Sequence, residues 1–138
     1  MEHTFFIDRC FGRYVLADAL REAGLRCEVH DDHFEQDTKD VEWIPVVAEK
    51  GWIAVTRDDR IKRNAEEKDA LIRSQLAMLV MSKKNNTTLQ LAERFITAQP
   101  VIERFLKKNP PPFIASVRPP SKGRKRGSVH VLWPPERT

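Results

Sequence analysis

The stretch GWIAVTRDDR, residues 51–60, decides how the chain is read. Trp52-Ile53-Ala54-Val55 is a short apolar run with a β-branched bias, the signature of a buried strand. It runs straight into Thr56-Arg57-Asp58-Asp59-Arg60. Open α/β sheets bind their ligands beyond the carboxyl ends of their strands. A core strand that ends in two carboxylates therefore points to a site.

Working outward, three more apolar runs alternate with helical patterns. TFFID (4–8) precedes a helix over 11–23, which Gly24 stops, and LRCEVH (25–30) alternates as a second strand. After the polar loop HDDHFEQDTKD, Asp40 is placed as the N-cap of VEWIPVVAEKG. Pro45 either kinks that helix or moves its start to about residue 44. A helix over 60–74, the apolar strand 76–81 and caps at Asn85-Asn86-Thr87-Thr88 follow. The last helical stripe is split by Pro100. Four strands alternating with helices predict a parallel α/β sheet. After residue 109 the style changes. PPPFIASV and SVHVLW read as a β-hairpin around the basic loop RPPSKGRKRG, so residues 1–112 form the body and 113–138 a hairpin and tail of the same domain.

Composition bounds the function. The chain has 138 residues, 41% hydrophobic and 32% charged, and no apolar run approaches the ~20 residues of a membrane helix. Met1-Glu2-His3-Thr4 carries no basic leader region, which predicts a cytoplasmic protein without a secretory signal. Cys10 and Cys27 are too few for a disulfide scaffold and are expected to be reduced and at least partly buried. Of the net charge of +4, residues from Arg118 onward carry +5 and residues 1–117 carry −1. An acidic body with a separate cationic segment suits a metal-dependent enzyme acting on a polyanion. A solubilising tail has the same charge.

The acids fall where the strand rule wants them. Asp8 ends the first strand, Asp58 and Asp59 follow the third, and Asp40 opens the helix leading into it. These positions can converge on one rim. Clustered carboxylates raise one another's pKa, and a hard cation such as Mg²⁺, with its preference for oxygen ligands, relieves the repulsion. Turn- and helix-capping roles are the structural alternative for all three. Arg9, Arg13, Arg57 and Arg60 flank them, as phosphate contacts or as local charge balance. Lys122, Arg124, Lys125 and Arg126 form a cation run without interleaved aromatics, which suits contact with a nucleic-acid backbone. His30-Asp31-Asp32-His33 lacks partners at zinc spacing and reads as a polar loop whose Asp31 or Asp32 could reach the outer shell of an ion. Trp43 and Trp52 read as packing residues rather than base-stacking platforms.

Taken in order, these segments resemble the PIN-like nucleases, in particular the compact branch of VapC-type toxins. FFIDRCFGRYVLADALREAGLRCEVHDDHF resembles the branch's opening strand, aspartate, helix and second strand. DVEWIPVVAEKGWIAVTRDDRIKRN resembles its aspartate-opened helix and the strand ending in Thr-x-Asp, and PPPFIASV with VLW resembles its closing segment. The resemblance implies a three-layer α/β/α fold with about four parallel strands. It also implies Mg²⁺- or Mn²⁺-dependent hydrolysis of RNA, with a protein antitoxin as partner and a homodimer as a frequent state. Carried over, Asp8, Asp40 and Asp58 match the family's metal-holding acids, and Thr56 the hydroxyl residue that supports them. The glutamate that larger PIN domains carry before the Asp40 position has no clean match; Glu42 and Asp59 are the residues placed to supplement the set. The basic insertion Ser121–Gly127 is longer than the family's turn. A PIN-like RNA- or protein-binding module without hydrolysis is the alternative, and a small-molecule phosphatase ranks last.

Overall fold

The computed structural model describes residues 3–12, 14–57, 64–81, 87–120, 123 and 125–135. Six strands form one sheet: β1 (Thr4–Ile7), β2 (Arg26–Val29), β3 (Ile53–Thr56), β4 (Ala77–Val80), β5 (Phe113–Arg118) and β6 (Ser128–Trp133). Their spatial order is β2-β1-β3-β4-β5-β6. All neighbours pair in parallel except β5 with β6, which is antiparallel. The parallel set therefore has five strands rather than four. Phe113–Arg118 is at once the first arm of the expected hairpin and the fifth parallel strand, which the local pattern of a hairpin does not distinguish.

Six α-helices cover the sheet: α1 (Val15–Glu22), α2 (His30–His33), α3 (Asp40–Glu49), α4 (Ala65–Ser74), α5 (Thr88–Thr97) and α6 (Gln99–Lys108). Strand side chains alternate between two cores because successive Cβ atoms point to opposite faces. Phe5, Ile7, Val55 and Leu79 pack with Leu16 and Leu20 of α1, Phe95 of α5 and Ile102 of α6. Phe6, Ala54, Met78 and Val80 pack with Trp43 and Val47 of α3 and Leu71 of α4. Burial on both faces explains why the strands read as continuous apolar runs.

Several boundaries differ from expectation. Lys39, in extended conformation, precedes α3, and Asp40 is its first residue rather than its cap. Glu42 accepts from the Lys39 N–H at 3.1 Å, half of a capping box. Pro45 lies inside α3 without ending it, and Gly51 follows at φ +74°. Helix α4 begins at Ala65, capped by Asn64, whose Oδ1 accepts from the Glu67 N–H at 3.0 Å. Thr87 and Gln90 form the full reciprocal box expected at α5. Pro100 occupies the first turn of α6, where its missing N–H breaks no helical bond. Gly127 sits against the Arg118 carbonyl, closer than any Cβ could approach, which fixes glycine at the foot of the hairpin.

Phe95 is fully buried and meets Phe5 edge-to-face, with centroids 5.1 Å apart. Phe95→Ala is expected to lower unfolding stability by about 3–5 kcal/mol, read from urea midpoints at unchanged m-value.

Candidate active site

The order β2-β1-β3 reverses chain direction at β1, so the switch point of this sheet lies between β1 and β3. Asp8 and Thr56 stand at the carboxyl ends of those two strands. The Asp8 N–H donates to the Val55 carbonyl at 3.0 Å, the last rung between them. Extended backbone at Asp8 feeds a 3-10 turn, Arg9–Phe11, and its Oδ1 accepts from the Arg9 N–H at 2.8 Å. Oδ2 accepts from the Thr56 hydroxyl at 2.9 Å. The capping role foreseen as the structural alternative for Asp8 is thus present, together with a long-range bond that capping does not need.

Asp8 is only 9% exposed. Burial raises its pKa above the ordinary carboxylate value, and the charge of Asp40 pushes the same way. The Thr56 and Arg9 hydrogen bonds, and His30, oppose the rise without cancelling it. Asp40 is half-buried, and its Oδ1 accepts from the Trp43 indole N–H at 3.0 Å. Both aspartates line one cleft of about 600 Å³, along with Thr56, Arg9, Cys10, Asp37 and Lys39.

Glu42, engaged at the start of α3, is not among the residues lining this cleft. Asp58, Asp59, Arg60, Arg13, Lys122 and Arg124 lie outside the described residues. Lys125 and Arg126 are exposed in the loop between β5 and β6. Arg57 donates its backbone N–H to Cys10 Sγ at 3.3 Å.

The HDDH segment is the helix α2 rather than a loop, and it separates its histidines. His30 is fully buried, ringed by Phe6, Phe34 and Trp43, with Nδ1 3.2 Å from Asp31. His33 instead meets Glu28 at 2.6 Å. Asp32 accepts from the Tyr14 hydroxyl at 3.0 Å, and Asp31 borders a smaller hollow of about 290 Å³ beside Arg9. Neither acid lines the main cleft.

Three contributions escaped the sequence reading. Asn64, Glu66 and Glu67 bring the first turn of α4 to the cleft; the spacing Asn64-x-x-Glu67, a helix-start signature, was the signal available. Trp43 packs in the core, as its position suggested, and also holds Asp40 by its one polar atom. Cys10, expected to be at least partly buried, is exposed as a residue, while its Sγ turns inward to 3.7 Å from the Thr56 hydroxyl. Burial, aided by the charge of Asp8, pushes this thiol up to about 12.

The donors facing the cleft are hard carboxylate and hydroxyl oxygens, a chemistry that fits Mg²⁺ or Mn²⁺. Among the described residues no three of His, Cys, Asp and Glu gather into a ligand set.

A raised carboxyl pKa weakens the fold once the group ionises. The folded state holds the Asp8 proton more tightly than the unfolded chain, so that stability is complete below the unfolded value of about 3.9 and is lost as pH rises through the folded value. In chelator-treated buffer, Asp8→Asn should therefore melt above wild type at pH 7. The gap should close as pH falls toward 4, read by calorimetry.

The profile of a PIN like domain matches residues 3–83. "Putative ribonuclease VapC45" of Mycobacterium tuberculosis (strain ATCC 25618 / H37Rv) is 31% identical over 123 residues, covering 86% of this chain and 88% of that protein. No solved structure matches the chain. A PIN profile over the strands that carry Asp8 and Thr56, and a relative aligned along most of both chains, place this protein in the PIN-like domain family, among its VapC-like members.

Proposed function

We propose that this protein is a divalent-metal-dependent endoribonuclease that hydrolyses RNA phosphodiester bonds as the toxin of a toxin–antitoxin module. The observation that carries this reading is a buried, pKa-raised carboxylate at the sheet's switch point, sharing a cleft with a second one. A relative whose name specifies a ribonuclease supports the choice of chemistry. A protein antitoxin as partner, a homodimer, a cytoplasmic setting and action of residues 1–138 as one domain complete the proposal. No helix among the described residues is long and apolar enough to cross a membrane.

Asp8 and Asp40 would hold Mg²⁺ or Mn²⁺, with Asp58 as the third acid and Asp59 or Glu42 as a supplement. When bound, the ion supplies positive charge at the phosphodiester and acidifies an attacking water. The chain's own residues do the remaining work. Thr56 and the Arg9 amide fix both oxygens of Asp8, and Trp43 fixes one of Asp40. Arg9 on the cleft wall, with Arg57 and the flanking Arg13 and Arg60, offers charge to phosphates.

The sheet topology supports a role for the basic hairpin tip in this scheme. Strands β1, β3, β4 and β5 are parallel, so the loop after Arg118 leaves the same rim as Asp8. It rises three strands away, roughly 14 Å at about 4.8 Å per strand. Lys125 and Arg126, with Lys122 and Arg124, would hold the RNA backbone a short distance from the point of cleavage.

Wild type should cleave RNA with Mn²⁺ and lose activity in EDTA, and Asp8→Asn should lower the rate by about 10²-fold or more. Equal cleavage by both proteins sinks the site; inertness of both across varied RNAs favours the binding module. The double variant Lys125→Ala/Arg126→Ala should raise KM and flatten the salt dependence of kcat/KM. The log–log slope should fall by about 1.4, at ~0.7 per phosphate contact on a single strand.

A further inference from the structure

Asp8 has both oxygens committed, and one of the bonds, from Thr56, crosses between strands. A hydroxyl carries one hydrogen and rotates freely unless something else fixes it. With that hydrogen donated to Asp8 Oδ2, Thr56 Oγ1 faces its next neighbour only as an acceptor. One such neighbour is Cys10 Sγ, 3.7 Å away. In that arrangement the thiol donates to Thr56. The sulfur also accepts, from the Arg57 N–H at 3.3 Å. The resulting chain runs in one direction: Arg57 N–H to Cys10 Sγ, Cys10 S–H to Thr56 Oγ1, Thr56 O–H to Asp8 Oδ2.

We propose that Cys10 is a positioning residue for the reaction, setting the hydroxyl rotor of Thr56 so that its proton stays on Asp8 and the carboxylate keeps one orientation toward the cleft. The proposal rests on the ribonuclease reading. It assigns Cys10 no contact with the scissile bond and no nucleophilic role. Two features of its placement make it fit for the task. Cys10 lies in the same 3-10 turn that Asp8 caps, so the turn is tied to the rim at Arg9 and again at Cys10. It also reaches two successive residues at the end of β3, joining the strands on either side of the switch point.

Sulfur suits the position in a specific way. A thiol both donates and accepts, weakly in each direction, and its long C–S bond spans a gap that an apolar side chain would fill without orienting anything. Residues that orient a ligand from behind change metal affinity or activity by about 10–100-fold when removed.

The test uses the full chain and two substitutions. Cys10→Val puts a somewhat larger apolar side chain in place of the thiol and removes donor and acceptor, with the smaller Cys10→Ala in its place should valine disturb folding by circular dichroism. Cys10→Ser keeps both functions. Expected for the apolar variant are kcat about tenfold lower, KM nearly unchanged and Mn²⁺ affinity about tenfold weaker by titration calorimetry. The serine variant should recover to within about threefold of wild type. In a Thr56→Val background, either change at residue 10 should have no further effect. Wild-type Mn²⁺ affinity and kcat in the apolar variant would overturn the proposal, and so would equal loss in the serine and apolar variants. Failure of the underlying reading looks different: wild type would neither cleave RNA nor lose Mn²⁺ binding on Asp8→Asn.

Discussion

The hydrogen bond from the Asp8 amide to the Val55 carbonyl is the constraint on which the site depends. It is the final rung of the β1–β3 ladder, and beyond it the two chains diverge, one into a 3-10 turn and the other into the Thr56-Arg57 segment. Divergence opens the crevice that a doubly wound sheet offers at its switch point. The same rung sets the register that puts the Asp8 carboxylate within 2.9 Å of the Thr56 hydroxyl. A one-residue slip of β3 would turn Ala54 and Val55 each toward the opposite core and carry Thr56 away from Asp8. Packing of Phe5 and Ile7 on one face and Phe6 on the other is therefore what aims the carboxylate.

The second aspartate is aimed by aromatic packing. Trp43 lies in van der Waals reach of Phe6 (centroids 5.1 Å apart) and edge-on to His30 at 6.5 Å, while its indole N–H holds Asp40. Trp52 stacks on the other side of Phe6, at 6.1 Å and 13°, with Lys50 over its ring. Rigid aromatic rings have few rotamers to lose, so an acid tied to one inherits its fixed position. Phe6 thus serves both sites: its backbone runs in the strand that ends at Asp8, and its ring supports the tryptophan that holds Asp40.

What the sequence revealed follows from the range of the forces involved. The alternation of apolar runs and amphipathic stripes is a local pattern, and it located the first four strands and the break at Pro100. The emergence of Asp8 from Phe5-Phe6-Ile7 was legible for the same reason, since a carboxylate beside a buried run is unusual in any context. Pairing partners are set by long-range packing and leave no local mark. Phe113–Arg118 looks the same whether it pairs only with β6 or also with β4. Likewise α4 approaches the cleft because of where α3 packs, although its capping spacing was readable. Hydropathy could say of Cys10 only that it is partly buried; that its sulfur turns toward Thr56 while the residue as a whole is exposed depends on the end of β3 and leaves no local mark.

The electrostatics of the cleft carry a last consequence. The ion pairs seen among the described residues, His3–Glu103, Arg21–Asp18, His30–Asp31, His33–Glu28 and Arg73–Asp69, do not include Asp8 or Asp40. Asp8 and Asp40 are held by neutral donors, a hydroxyl, an amide and an indole. Neutral donors orient a carboxylate without discharging it, and they leave in place the burial that chiefly raises Asp8 and the smaller push from the charge of Asp40. An arginine clamped on the same oxygens would have stabilised the fold while occupying the faces a cation needs. Under the proposed function, Lys125 and Arg126, in the loop after β5 and about three strands from β1, extend the positive surface for a polyanion without quenching the acids. On the proposed function, separation of the two charges along one rim would let a single sheet present a cation site and a backbone grip at once.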